Sequence, residues 1–208
     1  MKKNLIITVL TLISFCFVNA QDSSTKRADK LFDRFEFVKA AEKYLELVED
    51  GNENDYIIRK LADSYYNIYA SKEAEKWYGK ILKNKDPEVI YRYSQMLKAN
   101  GKYKESNKWM SSFSDMRPYD SRAIAFKNTP NYIDKIIGRG KKFNIQNIDI
   151  NSEYSDFGSI IIDKKIYFTS SRNTDRKSYG WNDEPFLDIY SSTINAVSYT
   201  HLTLPTMF

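Results

Sequence analysis

Cysteine and histidine each occur once in the 208 residues, Cys16 in an apolar N-terminal run and His201 close to the C terminus. The long stretch between them therefore has no thiol nucleophile, no Ser-His-Asp triad and no His or Cys zinc site. It also has no disulfide. Helix breakers are scarce where they would matter: Ser24 to Met116 contains only Gly51, Gly79, Gly101 and Pro87. Long apolar runs are missing after Val18, so no segment beyond it has the roughly 20 apolar residues a membrane-spanning helix needs. Charge of one sign is lacking as well. With 32 Lys and Arg against 27 Asp and Glu, no basic footprint for nucleic acid is expected.

Both ends read as segments foreign to the folded chain. Lys2 and Lys3 precede the apolar run Leu5–Val18, and the small-residue pattern Val18-Asn19-Ala20 is followed at once by polar Gln21-Asp22-Ser23. This is the pattern of a secretory signal peptide at 1–20, cleaved after Ala20. Phe15 stands before Cys16 where lipid attachment needs a small residue, so acylation is not expected. At the other end, Val197–Thr206 written back into codons resembles a sequencing-library adaptor, and 197–208 reads as a scar of that origin rather than as a strand. Without the two ends about 176 residues remain, Gln21 to Ala196, with no cysteine or histidine and a net charge reduced from +5 to +3. Export without cysteine fits a bacterial periplasm or an outer-membrane association.

Residues 21–127 are rich in Lys, Glu, Ala, Leu and Tyr at helical spacing. They also repeat. Small residues Ala28, Ala62 and Ser94 lie 34 and 32 apart, and Ala40, Ala74 and Ser106 keep the same intervals. Leu31, Tyr65 and Leu97 follow the first set by three, and Tyr44, Tyr78 and Met110 follow the second by four. Two helices approach closely only where one side chain is small, and a large neighbour fills the groove beside it. Asn100-Gly101 marks the turn of the third repeat, while the first has Phe35-Glu36-Phe37 in place of a turn glycine.

This period, with a small residue on each of two helices, resembles the tetratricopeptide repeat. The resemblance implies an α-solenoid whose inner face binds a protein partner. Counting −3, +1 and +4 from the small residue of each first helix places Asp29 and Phe32, then Arg59, Asp63 and Tyr66, then Tyr91, Gln95 and Lys98 on that face. The other reading of these residues is a solvated face with partly packed tyrosines. A helical bundle without repeats is the alternative fold.

Composition changes after Pro118. A helical stretch at Ser121–Lys127, a break at Asn128-Thr129-Pro130, Tyr132–Ile137 and the run Gly138-Arg139-Gly140-Lys141-Lys142 make 128–142 a linker. Beyond it the periodicity alternates, giving strands at Phe143–Ile148, Ser159–Ile162, Lys165–Thr169 and Leu187–Thr193, with Asp163-Lys164 as a hairpin turn. The chain is thus α+β in separate domains, helical repeats before the start of a β-rich one.

Asn151–Gly158, Ile166–Arg172 and Trp181–Tyr190 resemble the opening blade of a periplasmic β-propeller, here 143–196 and incomplete. A propeller after a tetratricopeptide segment is the layout of OmpA-family envelope proteins, some of which belong to secretion or gliding machinery. That resemblance implies peptidoglycan binding only through a C-terminal domain missing from this sequence. An incomplete blade is expected to order poorly by itself.

No catalytic residue, cofactor or metal site is expected. Glu42, Glu46, Glu49 and Asp50 fall at the spacing of a solvated helix face. Gly138–Lys141 lacks the strand and spacing of a phosphate loop. Asp183, Glu184 and Asp188 offer the oxygen ligands that hard cations take, but their spacing matches no known calcium loop and turn capping is the preferred reading. The function expected is a non-enzymatic envelope scaffold that binds a protein partner. The alternative is an exported hydrolase in which a propeller screens a catalytic domain missing here.

Overall fold

The computed structural model describes residues 24–130, 132–140 and 147–193. The leader at 1–20, most of the strand expected at Phe143–Ile148, and the adaptor-like tail with His201 lie outside the described residues. Two units divide between Lys135 and Ile136, inside the stretch 128–142.

The first unit is a tetratricopeptide-like array of helical hairpins. Its helices are α1 (residues 24–33), α2 (Phe37–Glu49), α3 (Asp55–Asn67), α4 (Ser71–Ile81), α5 (Pro87–Ala99), α6 (Tyr103–Met116) and the shorter α7 (Ser121–Asn128). A 3₁₀ turn at Leu82–Asn84 extends α4, and α8 (Tyr132–Gly138) follows α7.

Local chemistry starts and stops these helices in register. Asn54, Asp86 and Asp120 cap α3, α5 and α7, each side chain accepting from backbone N–H groups of the first turn. Such caps satisfy donors that a helix leaves open. Pro87 sits at the first position of α5, where its missing N–H costs nothing. The three first helices end alike. The N–H groups of Glu36, Ala70 and Lys102 donate to the carbonyls of Leu31, Tyr65 and Leu97 at 3.0, 2.9 and 2.8 Å. The residue before each donor is left-handed: Phe35 at φ 61°, Tyr69 at 60° and Gly101 at 76°. This is the Schellman turn, repeated three times.

Packing follows the period. All six small residues are sealed, none more than 1% exposed, and in the third repeat Ser106 Oγ donates to the Ser94 carbonyl at 2.8 Å. Tyr44, Tyr78 and Leu97 are fully buried and Met110 nearly so. The core of the first two repeats extends to Val89 and Met96 of α5, while Ile90, Met110, Phe113 and Ala123 form a second cluster under α7. Leu82 packs against both. Each repeat thus buries its apolar face against the next, as a solenoid requires.

In the second unit, β1 (Asp156–Ile162), β2 (Lys165–Ser170) and β3 (Asp188–Thr193) form an antiparallel sheet in the order β1-β2-β3. Asp163 and Lys164 both take positive φ, the geometry of a two-residue type I′ hairpin. Gly158 at φ 66° sits at a bulge between Phe157 and Ile160. Ile150, Ile166, Phe168 and Tyr190 make a small core on one face. Ile160, Ile161 and Ile162 of edge strand β1 are each more than half exposed. Asn147 and Ile148 lie in irregular chain.

Candidate interaction surface

The first helices adjoin along one side of the array, since α3 meets α5 directly and side chains bridge α1 to α3 and α5 to α7. The eight residues singled out by spacing fall into three kinds of environment along that side.

Asp29, Asp63 and Gln95, the +1 residues, turn toward their own hairpin. Each meets the large residue fifteen positions on. Tyr44 Oη donates to Asp29 at 2.5 Å, Tyr78 Oη donates to Asp63, and Gln95 Nε2 donates to Met110 Sδ at 3.5 Å. Asp29 also accepts from Tyr56 of α3 at 2.7 Å. Partial burial opposes its ionisation, but the hydroxyls of Tyr44, Thr25 and Tyr56 outweigh that and hold its carboxyl below the usual value. Burial, reinforced by these carboxylates, pushes the Tyr44 and Tyr78 phenols up. Asp63 is buried.

Phe32, Tyr66 and Tyr91 present rings that cations two helices further along cover. Lys60 Nζ lies 3.9 Å from the Phe32 centroid, the Arg92 guanidinium 5.1 Å from Tyr66, and the Arg122 guanidinium 4.2 Å from Tyr91. A cation over a ring face is attracted to its negative quadrupole.

Arg59 joins an ion-pair chain that runs along the face. It reaches Asp86 at 2.5 Å and Asp63 at 3.9 Å. Asp63 pairs with Arg92 at 2.9 Å, Arg92 with Glu88 at 3.2 Å, and Glu88 with Arg122 at 3.0 Å. Arg122 returns to Asp120 at 2.9 Å, and its hydrogen bonds hold the Asp120 carboxyl down to about 2. Three arginines are therefore neutralised within the array.

Lys98 differs. Its ammonium meets Gln95 Oε1 at 3.4 Å and the Tyr132 ring at 5.3 Å, and no carboxylate among the described residues pairs with it. It lines a cleft of about 330 Å³ with Tyr91, Gln95, Met110, Phe126 and Tyr132. The structure thus brings Tyr91, Gln95 and Lys98 together in one cleft. Arg59, Asp63 and Tyr66 form the adjoining network, and Asp29 and Phe32 lie at the α1 end.

Residue spacing alone passed over Lys60, Arg92, Glu88 and Arg122. Lys60 and Arg92 sit two places before the small residue in successive repeats, so aligning that position would have shown the cation at two of the three junctions. The sheet unit holds another unforeseen centre. Arg172 donates to the Ile150 carbonyl at 2.7 Å, Asp156 at 2.6 Å and Ser170 at 2.8 Å, and lies over Phe168 and Tyr190. Burial raises the Asp156 carboxyl, but bonds from Ser170, Arg172 and Ser152 prevail and bring it down to about 2. Glu184 accepts from Ser155 and Ser171, and Asp188 from Asn173. Among the described residues no group of three His, Cys, Asp or Glu is placed to hold a metal ion, and no helix is long and apolar enough to cross a membrane.

No family model and no curated protein matches the chain. Among solved structures, it is similar to the first tetratricopeptide domain of Spaghetti (RPAP3) bound to the HSP90 peptide SRMEEVD, with a TM-score of 0.47 and 15% identity over 57% of this chain and 93% of that one. It is likewise similar to the tetratricopeptide domain of Sgt2 from Aspergillus fumigatus, with a TM-score of 0.47 and 13% identity over 64% of this chain and 91% of that one. What makes the first unit tetratricopeptide-like is its own geometry: the sealed small residues and the recurring turn.

Proposed function

We propose that the chain belongs to a non-enzymatic scaffold of the bacterial cell envelope, with the inner face of the helical array binding a protein partner in extended form. The reading is supported chiefly by the cleft at the third repeat, where aromatic side chains adjoin a lysine that has no carboxylate partner among the described residues. At the finer level, the leader-like first 20 residues and the blade-like motifs after the array support an OmpA-family protein exported to the periplasm or outer membrane, with a place in secretion or gliding machinery. Any peptidoglycan contact belongs to a domain beyond this sequence.

Replacing Tyr66 and Tyr91 together by alanine tests the binding role. Partner capture from an envelope fraction is expected to disappear while the helical circular dichroism is retained. Undiminished capture by a folded double variant overturns the reading.

A further inference from the structure

We infer that the cleft between α5, α6 and α7 takes an internal peptide segment in which an aromatic residue adjoins a side-chain carboxylate. This rests on the partner-binding reading and gives the partner a chemistry.

The charge pattern carries the inference. Along the inner face Arg59, Arg92 and Arg122 already have carboxylates within 4.0 Å. Lys98 is half-buried beside a neutral amide oxygen and an aromatic ring. An ammonium so placed has lost part of its hydration and has no counter-ion among the described residues, so a carboxylate entering the cleft completes a charge-assisted hydrogen bond. Tyr91, Gln95, Met110, Phe126 and Tyr132 also line the cleft. Rings and a thioether favour an aromatic side chain, through edge and face contacts and sulfur contact.

Size limits the occupant. A cleft of about 330 Å³ is at the small end of the range for ligand pockets, about 300–1,000 Å³, and suits one large side chain with its charged neighbour. Two features favour a side-chain carboxylate over a chain terminus. The planar fork that best grips a terminal carboxylate in this cleft, Arg122, is held by Glu88 and Asp120. The inner face also continues from the cleft to Tyr66, Arg59 and Phe32, leaving a path for a chain to run on.

The test uses the full chain and four synthetic peptides, followed by amide shift perturbation and titration. One is acetyl-Gly-Ser-Phe-Glu-Ser-Gly-amide, two are its Phe→Ala and Glu→Gln analogues, and one is a peptide ending in phenylalanine with a free carboxylate. The first peptide is expected to shift Gln95, Lys98 and α7, and each analogue to bind at least tenfold more weakly. Lys98→Gln should cause the same loss and Lys98→Arg should retain binding, with thermal unfolding unchanged in both.

Equal binding of the Glu→Gln analogue, an unaffected Lys98→Gln variant, no shift with any peptide, or binding of the free-carboxylate peptide alone overturns the inference. Shifts confined to Phe32 and Arg59 remove this cleft as the subsite while leaving partner binding on the inner face. Loss of partner binding as a function is read separately, from the Tyr66 and Tyr91 double variant.

Discussion

Tyr69 occupies a turn position that the third repeat fills with Gly101, and both adopt left-handed φ. A β-carbon there costs about 1–2 kcal/mol, and Tyr69 is 72% exposed, so little packing offsets the strain. Tyr69→Gly should therefore raise stability by about 0.5–1 kcal/mol, after the greater unfolded-state entropy of glycine is counted. Gly101→Ala should lower it by about 1 kcal/mol, both measured by denaturant unfolding. Asp63 is the opposite case, a buried carboxylate holding Tyr78 and Arg92. Asp63→Ala removes the acceptor of the Tyr78 hydroxyl and leaves Arg92 with Glu88 alone, and should cost about 3 kcal/mol. The packing positions were legible because smallness at Ala62 and bulk at Tyr78 show in the letters. The partnership of Asp63 with Arg92 was not, because it joins two repeats across 29 positions, and neither residue type discloses whether its charge faces water or a neighbour.

At the scale of elements, the recurring caps Asn54 and Asp86 set where α3 and α5 begin, and Asp120 extends the pattern to α7. Hairpin chemistry was as readable in the sheet, since Asp163-Lys164 between two alternating runs is a turn with a mechanism. What escaped notice is Arg172, which the sequence shows only as part of a polar loop. Its bond to Asp156 ties the start of β1 to the loop after β2. Asp156 titrates near 2 when folded against 3.8 ordinarily. A depressed carboxylate contributes stability that is present above its unfolded pKa and is lost as pH falls through the folded one. The sheet unit should hold its stability above about pH 5 and lose it between about pH 4 and 2. Asp156→Asn should flatten that dependence, as followed by near-ultraviolet circular dichroism. Amide exchange addresses how firmly the sheet is ordered. Edge strand β1, with Ile160 to Ile162 exposed, should exchange well before central β2, and equally strong protection in both contradicts this.

At the scale of the whole molecule, the period of the array fixed its architecture from the sequence, because a solenoid is one hairpin repeated and each repeat restates the rule. The second unit has no such redundancy: three strands are too few to show a repeat, so only their pairing was foreseeable. The surface lay between these cases. Spacing singled out eight candidate residues, but which of them stay available to a partner depends on pairings between repeats that no single segment reveals. The central claim is that the inner side of α1, α3, α5 and α7 is the interaction surface. Hydrogen–deuterium exchange on the full chain, with and without its captured partner, tests this most directly. New protection is expected in α3, α5 and α7, with α2 and α4 unchanged; a footprint confined to α2 and α4, or to the sheet, contradicts the claim.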